Sequence, residues 1–414
     1  MACLLWEDSF YESGEEIGKR ISDLVRQCNQ NEIAALAIQC REEMKLRHVP
    51  LLLVREMARV GGMPAKGVSQ SLVRDTLARI IQRPDELTEF LAIYWKEKKQ
   101  PLSGQVKKGL ALAFQKFNEY SLAKYNRDNA IKLRDVLFLC HAKPKDEEQE
   151  ALWKRLVEGT LATPDTWEVE LSAGKDKKAT WERLMSEKKL GGLALLRNLR
   201  NMQEVNVSNN LITESLAEMK TDRILPYRFI AAARFAPSME PQLERAMFRS
   251  IEQVEKLKGR SIILIDVSGS MDTQMSAKSD LTRIDAACGL GILAREICEQ
   301  CHVMTFSEKL VECPPRRGFA LRDAIKNSQP HSGTKLGEAL IVINAAWERG
   351  QWDRIIVITD EQSESSVPAP KGKGYMINVA AYKNGVGYGQ WTKITGWSES
   401  IIRYIQEVEN AKAS

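Results

Sequence analysis

Residues 261–271 read SIILIDVSGSM, a short apolar run followed by an aspartate and by two serines two positions apart. A continuous apolar run of this length is typical of a parallel strand that is covered on both faces. The patterns that follow predict helices at 282–300, 321–327, 335–347 and 399–408, and strands at 302–306, 354–358 and 375–381. This alternation predicts an α/β fold with a doubly wound parallel sheet and helices on both of its faces.

The residues upstream of Gly259 follow a different period. Apolar residues recur there at steps of three and four, as in Leu51, Val54, Met57 and Ala58, which is helical spacing. Breaks with proline or glycine separate about a dozen predicted helices, and no convincing strand lies among them. Such helices can bury their apolar stripes by stacking as antiparallel pairs. We therefore predict a helical domain at 1–258 and an α/β domain at 259–414.

The composition indicates a folded chain without a membrane span. The 414 residues are 43% apolar, which is enough to form two or three domain cores. Charged residues make up 28% of the chain, and no apolar run approaches the ~18 residues of a membrane helix. The amino-terminal residues turn acidic early and lack the basic start of an export signal, which predicts a cytoplasmic protein. The eight cysteines are few for this length and indicate reduced core residues.

Polar side chains lie at the ends of the predicted strands. Asp266, Ser268 and Ser270 follow the first strand, Asp360 follows the strand at 354–358, and Thr334 precedes a helix. Ligands of such sheets bind outside the carboxyl ends of the strands, and hydroxyl and carboxylate oxygens suit a hard cation such as Mg²⁺. We predict that both serines bind the metal directly, the threonine directly or through water, and the aspartates partly from outside the coordination sphere. An incompletely neutralised metal would attract an acidic group of a protein partner.

The sequence lacks the common catalytic motifs. It has no phosphate loop ending in Gly-Lys-Ser/Thr, no Gly-x-Ser-x-Gly elbow and no His-Glu-x-x-His. Two-metal phosphoryl chemistry needs several converging carboxylates, and both obvious ones already belong to the hydroxyl-rich set. We therefore predict a noncatalytic protein.

Two resemblances are visible. The pattern of Asp266, Ser268, Ser270, Thr334 and Asp360 resembles the metal-ion-dependent adhesion site of von Willebrand factor A domains, whose sheet is Rossmann-like. The helical region resembles the Ro ribonucleoprotein family, which carries the TROVE module. The matching text is WEDSFYESG at 6–14, LVREMAR at 53–59, KY at 124–125, DVLFLCHAKP at 135–144, GLALLRNLR at 192–200 and RILP at 223–226. The resemblance covers nearly the whole chain, and the order of the domains also agrees with it.

The resemblance implies a ring or arc of HEAT-like antiparallel helices with a central hole, tied shut by the A-type domain. Family members bind small noncoding Y RNAs on the outer surface and admit single-stranded ends of defective RNAs into the hole. They are linked to RNA quality control and, in bacteria, to exoribonuclease assemblies. We expect a monomer that binds Y-like RNA and single-stranded RNA ends, with an exoribonuclease joined through the RNA. The alternative is a protein-binding adaptor that uses a helical solenoid and the metal site without RNA.

A basic surplus lies in the helical part. Residues 1–260 hold 43 Lys and Arg against 37 Asp and Glu, whereas residues 261–414 hold 17 against 18. The densest basic group is Lys124, Arg127, Lys132, Arg134 and His141. Taken alone, this group is more typical of a solvated helix face than of a surface that contacts several phosphates. The resemblance favours an RNA contact, because the family surface has a Lys before Tyr and a His before a Lys-Pro turn. One position departs from the family, since Asp128 stands where an Arg is expected.

Other basic residues could line the hole or its rim. They are Arg55, Arg59, Lys66, Arg74, Arg197 and Arg200. Single-stranded RNA also needs planar stacking partners. Tyr125, Tyr227 and Phe229 are candidates, although aromatic residues at helical spacing usually belong to the core.

Overall fold

The structure is a computed structural model that describes residues 14–60, 69–222, 224, 226–252, 254–276, 279–347, 352–360, 362–380, 389–396 and 400–411. The chain forms two compact units, one of residues 18–172 and one that contains residues 173–414. No helix within the described ranges is long and apolar enough to cross a membrane.

The described part of residues 14–172 is helical throughout. Its helices are α1 (Gly14–Val25), α2 (Gln30–Glu42), α3 (His48–Val60), α4 (Leu72–Ile80), α5 (Pro84–Tyr94), α6 (Gly104–Phe114), α7 (Glu119–Tyr125), α8 (Leu133–Cys140), α9 (Glu147–Glu158) and α10 (Trp167–Ser172). Helices α2, α4, α6 and α8 pack in one row, and α3, α5, α7 and α9 pack in a second row. This two-layer packing of alternate helices agrees with the predicted HEAT-like array.

Local sequence explains where these helices begin. Asn29, Ser103, Asn118 and Asp146 are N-cap residues whose side-chain oxygens accept a backbone N–H of the first turn, and Pro84 takes the first position of α5. The helices bury one apolar stripe each into a continuous core that extends from α1 to α9. Burial of these stripes, rather than helix propensity, provides most of the stability of such short helices.

A second helical segment precedes the sheet. It consists of α11 (Lys177–Ser186), α12 (Gly192–Glu204), α13 (Asn209–Glu218), α14 (Pro226–Phe235), a 3₁₀ turn at Pro237–Met239 and α15 (Glu240–Ile251). Here too alternate helices pack together, α13 with both α11 and α15, and α12 with α14. The described residues before Leu257 contain no strand, as the spacing predicts.

The predicted sheet is present. Its strands are β1 (Leu257–Asp266), β4 (Cys298–Phe306), β5 (Leu310–Glu312), β6 (Arg354–Thr359), β7 (Lys373–Asn378) and β8 (Thr392–Thr395), and a separate hairpin holds β2 (Gln274–Ser276) and β3 (Ser279–Thr282). The order is β5-β4-β1-β6-β7-β8, and every neighbouring pair is parallel except β4 and β5. The antiparallel edge strand β5 is not predicted from the sequence, because three residues after a tight turn carry too little pattern. Helices α16 (Arg283–Ile297), α17 (Gly318–Lys326), α18 (Leu336–Trp347) and α19 (Ser400–Ala411) complete the domain.

Helix α14 of the second helical segment packs closely against α16 of the α/β domain. A Cβ at Gly289 would lie 2.9 Å from Cβ of Tyr227, so only glycine allows this approach. Nearby, the buried Asp285 accepts from Arg234 at 2.8 Å and from Lys326 at 2.6 Å. The change from helix to strand falls between Ile251 and Leu257, yet the helices after residue 173 belong to the same compact unit as the sheet. The division into domains at residue 258 therefore stays a prediction.

Candidate functional site

The two aspartates of the motif lie next to each other at the carboxyl edge of the sheet. Asp266 ends β1 and Asp360 follows β6, and these strands pair with Ile265 opposite Ile358. Asp266 is fully buried and accepts from Ser268 N–H at 2.8 Å and from Thr359 Oγ1 at 2.6 Å. Asp360 is fully buried as well. Two buried carboxylates at one edge are costly unless a cation lies near them.

The serine hydroxyls face the same way. Ser268 Oγ and Ser270 Oγ are 3.2 Å apart, and the 3₁₀ turn Gly269–Asp272 follows directly from Ser268. The N–H of Gly269 donates to the carbonyl of Ser332 at 3.0 Å, which brings the loop with Thr334 beside the two serines. The hydroxyls and carboxylates of the motif thus come from segments that the tertiary fold brings to one edge.

Arg283 completes this edge, and the sequence reasoning missed it. Its Nη1 donates to Asp360 Oδ2 at 2.7 Å and to the carbonyl of Ser270 at 3.3 Å, and its side chain is 8% exposed. Arg283 is the first residue of α16, far in sequence from Asp360. Nothing in the local pattern distinguishes it from a surface arginine.

The charges of this edge do not balance. Asp266 and Asp360 carry two negative charges when ionised, and Arg283 supplies one positive charge. Burial of Asp266, together with the nearby charge of Asp360, raises the pKa of Asp266 to about 7. No group of three His, Cys, Asp or Glu side chains converges as a metal site within the described ranges, so hydroxyl oxygens would have to complete any site here.

The basic residues around α7 and α8 differ in their partners. Lys124 is exposed, and its Nζ lies 5.8 Å from the ring centroid of Tyr120. Lys132 pairs with Asp128 at 2.5 Å, which neutralises part of the group. Arg127 and Arg134 are exposed and line a cavity of about 210 Å³ together with Lys132. Neither arginine forms a salt bridge with the residues that the structure describes, but Asp128 and Glu158 line the same cavity, and Lys132 and Arg134 together lower the pKa of Asp128.

His141 ends α8 in a left-handed conformation, with a φ of 51°, and its side chain is exposed. A histidine tolerates this backbone region better than most residues. We call Lys124, Arg127, Arg134 and His141 the α7–α8 cationic group; these exposed basic side chains form no salt bridge with the described residues.

Most of the other predicted RNA contacts are already neutralised. Arg55 is buried and pairs with Glu56 at 2.7 Å and with Glu97 at 2.6 Å, and Arg59 pairs with Glu97 at 3.0 Å. A guanidinium bound to a carboxylate has little charge left to offer a phosphate. The structure therefore does not favour these two arginines as RNA contacts.

The remaining basic candidates fall into three cases. Arg74 pairs with Asp75 at 2.7 Å, and Arg200 pairs with Glu204 at 3.0 Å. Arg197 on α12 is exposed, and none of the described residues pairs with it. Lys66 lies outside the described residues.

The aromatic side chains predicted to stack on RNA bases contact other parts of the protein instead. Phe229 is fully buried, and Tyr227 packs in a small core cluster with Met275 and Leu281. The guanidinium of Arg83 lies 4.7 Å from the ring centroid of Tyr125. The sequence reasoning missed the exposed Phe138, whose position opposite the buried stripe of α8 could have revealed it.

Two family models match the chain. The model described as the TROVE domain matches residues 154–295, and the model described as the Ro60 vWA domain matches residues 260–372. The α7–α8 cationic group lies amino-terminal to both matches.

Several relatives are similar over different lengths. The RNA-binding protein RO60 of Deinococcus radiodurans is 24% identical over 421 aligned positions, which cover 86% of this chain and 78% of that protein. Telomerase protein component 1 is 36% identical in Mus musculus and 35% identical in Rattus norvegicus over 89 residues, or 20% of this chain. The match spans only 3% of the length of these telomerase components.

A solved structure gives the same picture of the fold. The crystal structure of the Deinococcus radiodurans RO (RSR) protein matches with a TM-score of 0.65 and 21% identity, and the match covers 92% of each chain. At this identity the likeness concerns the fold alone. Together, the two domain matches, the helical rows and the sheet order show that the chain contains a region similar to the TROVE domain, followed by a region similar to the Ro60 vWA domain.

Proposed function

We propose that this protein is a noncatalytic RNA-binding protein of the Ro type that binds small structured RNA. The observation that carries the proposal is the α7–α8 cationic group, whose exposed basic side chains form no salt bridge with the described residues. Free cations attract phosphates and release counterions, whereas paired ones do not. Similarity over 86% of this chain to a relative named as an RNA-binding protein supports the same conclusion.

The binding test compares two double variants of the full chain. Lys124→Ala with Arg134→Ala removes two unpaired cations, and we expect a loss of affinity for a small hairpin RNA of at least tenfold at low salt, because each charge-assisted phosphate contact contributes roughly 1 kcal/mol or more. Arg74→Ala with Arg200→Ala removes a half-buried and an exposed arginine that are both paired, and it serves as the matched control. Equal losses in both variants would contradict the proposal.

We also propose that the edge formed by Asp266, Ser268, Ser270, Thr334 and Asp360 holds a divalent cation such as Mg²⁺. The donor set fits a hard cation, since all of its side-chain donors are oxygens, and its two buried carboxylates exceed the charge of Arg283 by one when both are ionised. When bound, the ion would offer an open position to an acidic group of a protein or ligand.

Removal of the metal separates this role from RNA binding. We expect Mg²⁺ to raise the melting temperature of the protein and Asp266→Asn to abolish that rise. Hairpin binding should persist in EDTA, because the α7–α8 cationic group lies in the other compact unit. An adaptor without RNA would instead lose a protein partner on Asp266→Asn and show no salt-dependent RNA binding.

Other features of the function stay predictions. They include the Y-like identity of the RNA, the entry of single-stranded ends into a closed ring, an exoribonuclease partner, a role in RNA quality control, a monomeric state and a cytoplasmic location. The lack of catalysis is also a proposal, and intact RNA after long incubation with Mg²⁺ would support it. Sequencing of RNA crosslinked to the protein in its own cell would identify the ligand.

A further inference from the structure

A cavity of about 510 Å³ opens between the segment after α5, the start of α6 and the end of α8. Its volume lies within the roughly 300–1,000 Å³ of small-ligand sites. The walls are mainly apolar, and they include Trp95, Leu102, Phe138 and Leu139. All of these residues belong to the unit of residues 18–172.

Phe138 is the unusual wall of this cavity. Helix α8 buries Leu133, Val136, Leu137 and Cys140, whereas Phe138 points away from that stripe and is 59% exposed. A single exposed apolar side chain is common on protein surfaces, so Phe138 becomes informative only because its ring lines a cavity. It offers a flat surface on which another ring could stack.

Trp95 lines the cavity from the segment after α5, and two contacts hold its ring in place. Its Nε1–H donates to the carbonyl of Gln100 at 2.8 Å, and the Lys99 ammonium lies 5.4 Å from its ring centroid. The cavity therefore has one fixed aromatic wall and one exposed aromatic wall.

The titratable groups that line the cavity are the cations Lys99 and Lys107 and the imidazole of His141. Across the described ranges none of these three side chains forms a salt bridge, and no carboxylate lines the cavity. Flat apolar walls beside unpaired cations match a ligand that is aromatic at one end and anionic at the other. A nucleotide within a strand has this chemistry. An acidic peptide would use the cations but would have no need of the exposed ring.

We propose that this cavity binds an unpaired nucleobase of an RNA strand, which stacks on Phe138 while neighbouring phosphates contact Lys99 and Lys107. The proposal rests on the RNA-binding function proposed above and assigns the contact with an unpaired segment to this cavity and to Phe138. Stacking on a phenyl ring is tolerant of base identity, so the site selects unpaired strand rather than sequence.

The test uses one hairpin RNA in two forms, blunt and with a short unpaired tail that carries 2-aminopurine. For the unaltered protein we expect the tailed RNA to bind more tightly and the 2-aminopurine fluorescence to be quenched by stacking. Phe138→Ala should weaken binding of the tailed RNA by roughly 5- to 150-fold, abolish the quenching and leave the blunt hairpin unchanged. Phe138→Tyr should restore both signals.

Phe235→Ala is the matched control, because Phe235 is an exposed phenylalanine outside the cavity. Lys99→Gln with Lys107→Gln should lower the salt dependence of tailed RNA binding only. Unchanged tail binding and quenching in Phe138→Ala would overturn the proposal while the RNA-binding function stands. Displacement of the tail by free adenosine monophosphate at equal concentration would overturn it as well, since the site would then serve a free nucleotide. Failure of both RNAs to bind the unaltered protein would instead overturn the proposed function itself.

Discussion

The α7–α8 cationic group makes a quantitative prediction about the salt dependence of RNA binding. Three of its members, Lys124, Arg127 and Arg134, carry a full positive charge at neutral pH and are exposed. Each phosphate that a cation neutralises contributes roughly −0.7 to −0.9 to the slope of log K against log salt. The triple alanine variant should therefore have a slope that is shallower by about 2 to 3.

The slope converts directly into affinities. Between 50 and 200 mM salt, three such contacts account for a loss of roughly 20- to 40-fold in affinity, and the triple variant should lack this part of the loss. The measurement is a hairpin-RNA titration by fluorescence anisotropy at several salt concentrations. The control replaces Arg59, Arg74 and Arg200 by alanine, because these arginines are paired with Glu97, Asp75 and Glu204.

Two results would refute this reasoning. One is a triple variant whose slope equals that of the unaltered protein, which would mean that phosphates contact a different surface. The other is a control variant whose slope falls by the same amount, which would mean that ion pairing on this protein does not decide which cations meet RNA.

Four further predictions concern single side chains. Asp128→Asn should strengthen hairpin binding by roughly two- to fivefold at low salt, because it frees Lys132 from its ion pair, and unchanged affinity would count against a role for Lys132. The buried Arg41 pairs with the Glu86 carboxylate at 2.5 Å. Glu86→Ala leaves this guanidinium without its carboxylate and should lower the free energy of unfolding by about 3–5 kcal/mol in urea titrations. Arg283→Ala should increase the affinity for Mn²⁺ measured by calorimetry, because it removes the guanidinium that now neutralises Asp360. A lower affinity would show that Arg283 instead orients Asp360 for the metal. Burial alone would raise the pKa of Asp285, but Lys326 and Arg234 outweigh burial and lower that pKa. The ionised carboxylate therefore stabilises the fold above its unfolded pKa, and this stabilisation is lost as the pH falls through the folded pKa. The Asp285→Asn variant should melt at a lower temperature than the unaltered protein at pH 7, and the difference should narrow below about pH 4.

The amino-acid sequence alone was enough to predict the fold class, because the signal lies in local periodicity. Helical spacing before Gly259 and apolar runs after it are properties of neighbouring residues. A helix that buries one apolar stripe and a strand that buries both faces are the structures that fit these two patterns, so few other fold classes remain. The residues of β1 and the five positions of the motif follow from the same logic, since polar residues after buried strands meet at one edge of a parallel sheet.

The charge state of the basic surface was decided only by tertiary structure. Arg55 and Arg59 meet Glu97 across about 40 residues of sequence, and Arg283 meets Asp360 across 77. A cation is free or neutralised according to which helix packs beside it, and no local pattern encodes that neighbour. Phe138 could be predicted only in part. The helical period places its side chain opposite the buried stripe of α8, but only the packing of α5, α6 and α8 leaves a cavity beside its ring. Periodicity is a property of adjacent residues and can be read from the chain, whereas ion pairing and cavities depend on which distant segments come into contact, which only the folded packing determines.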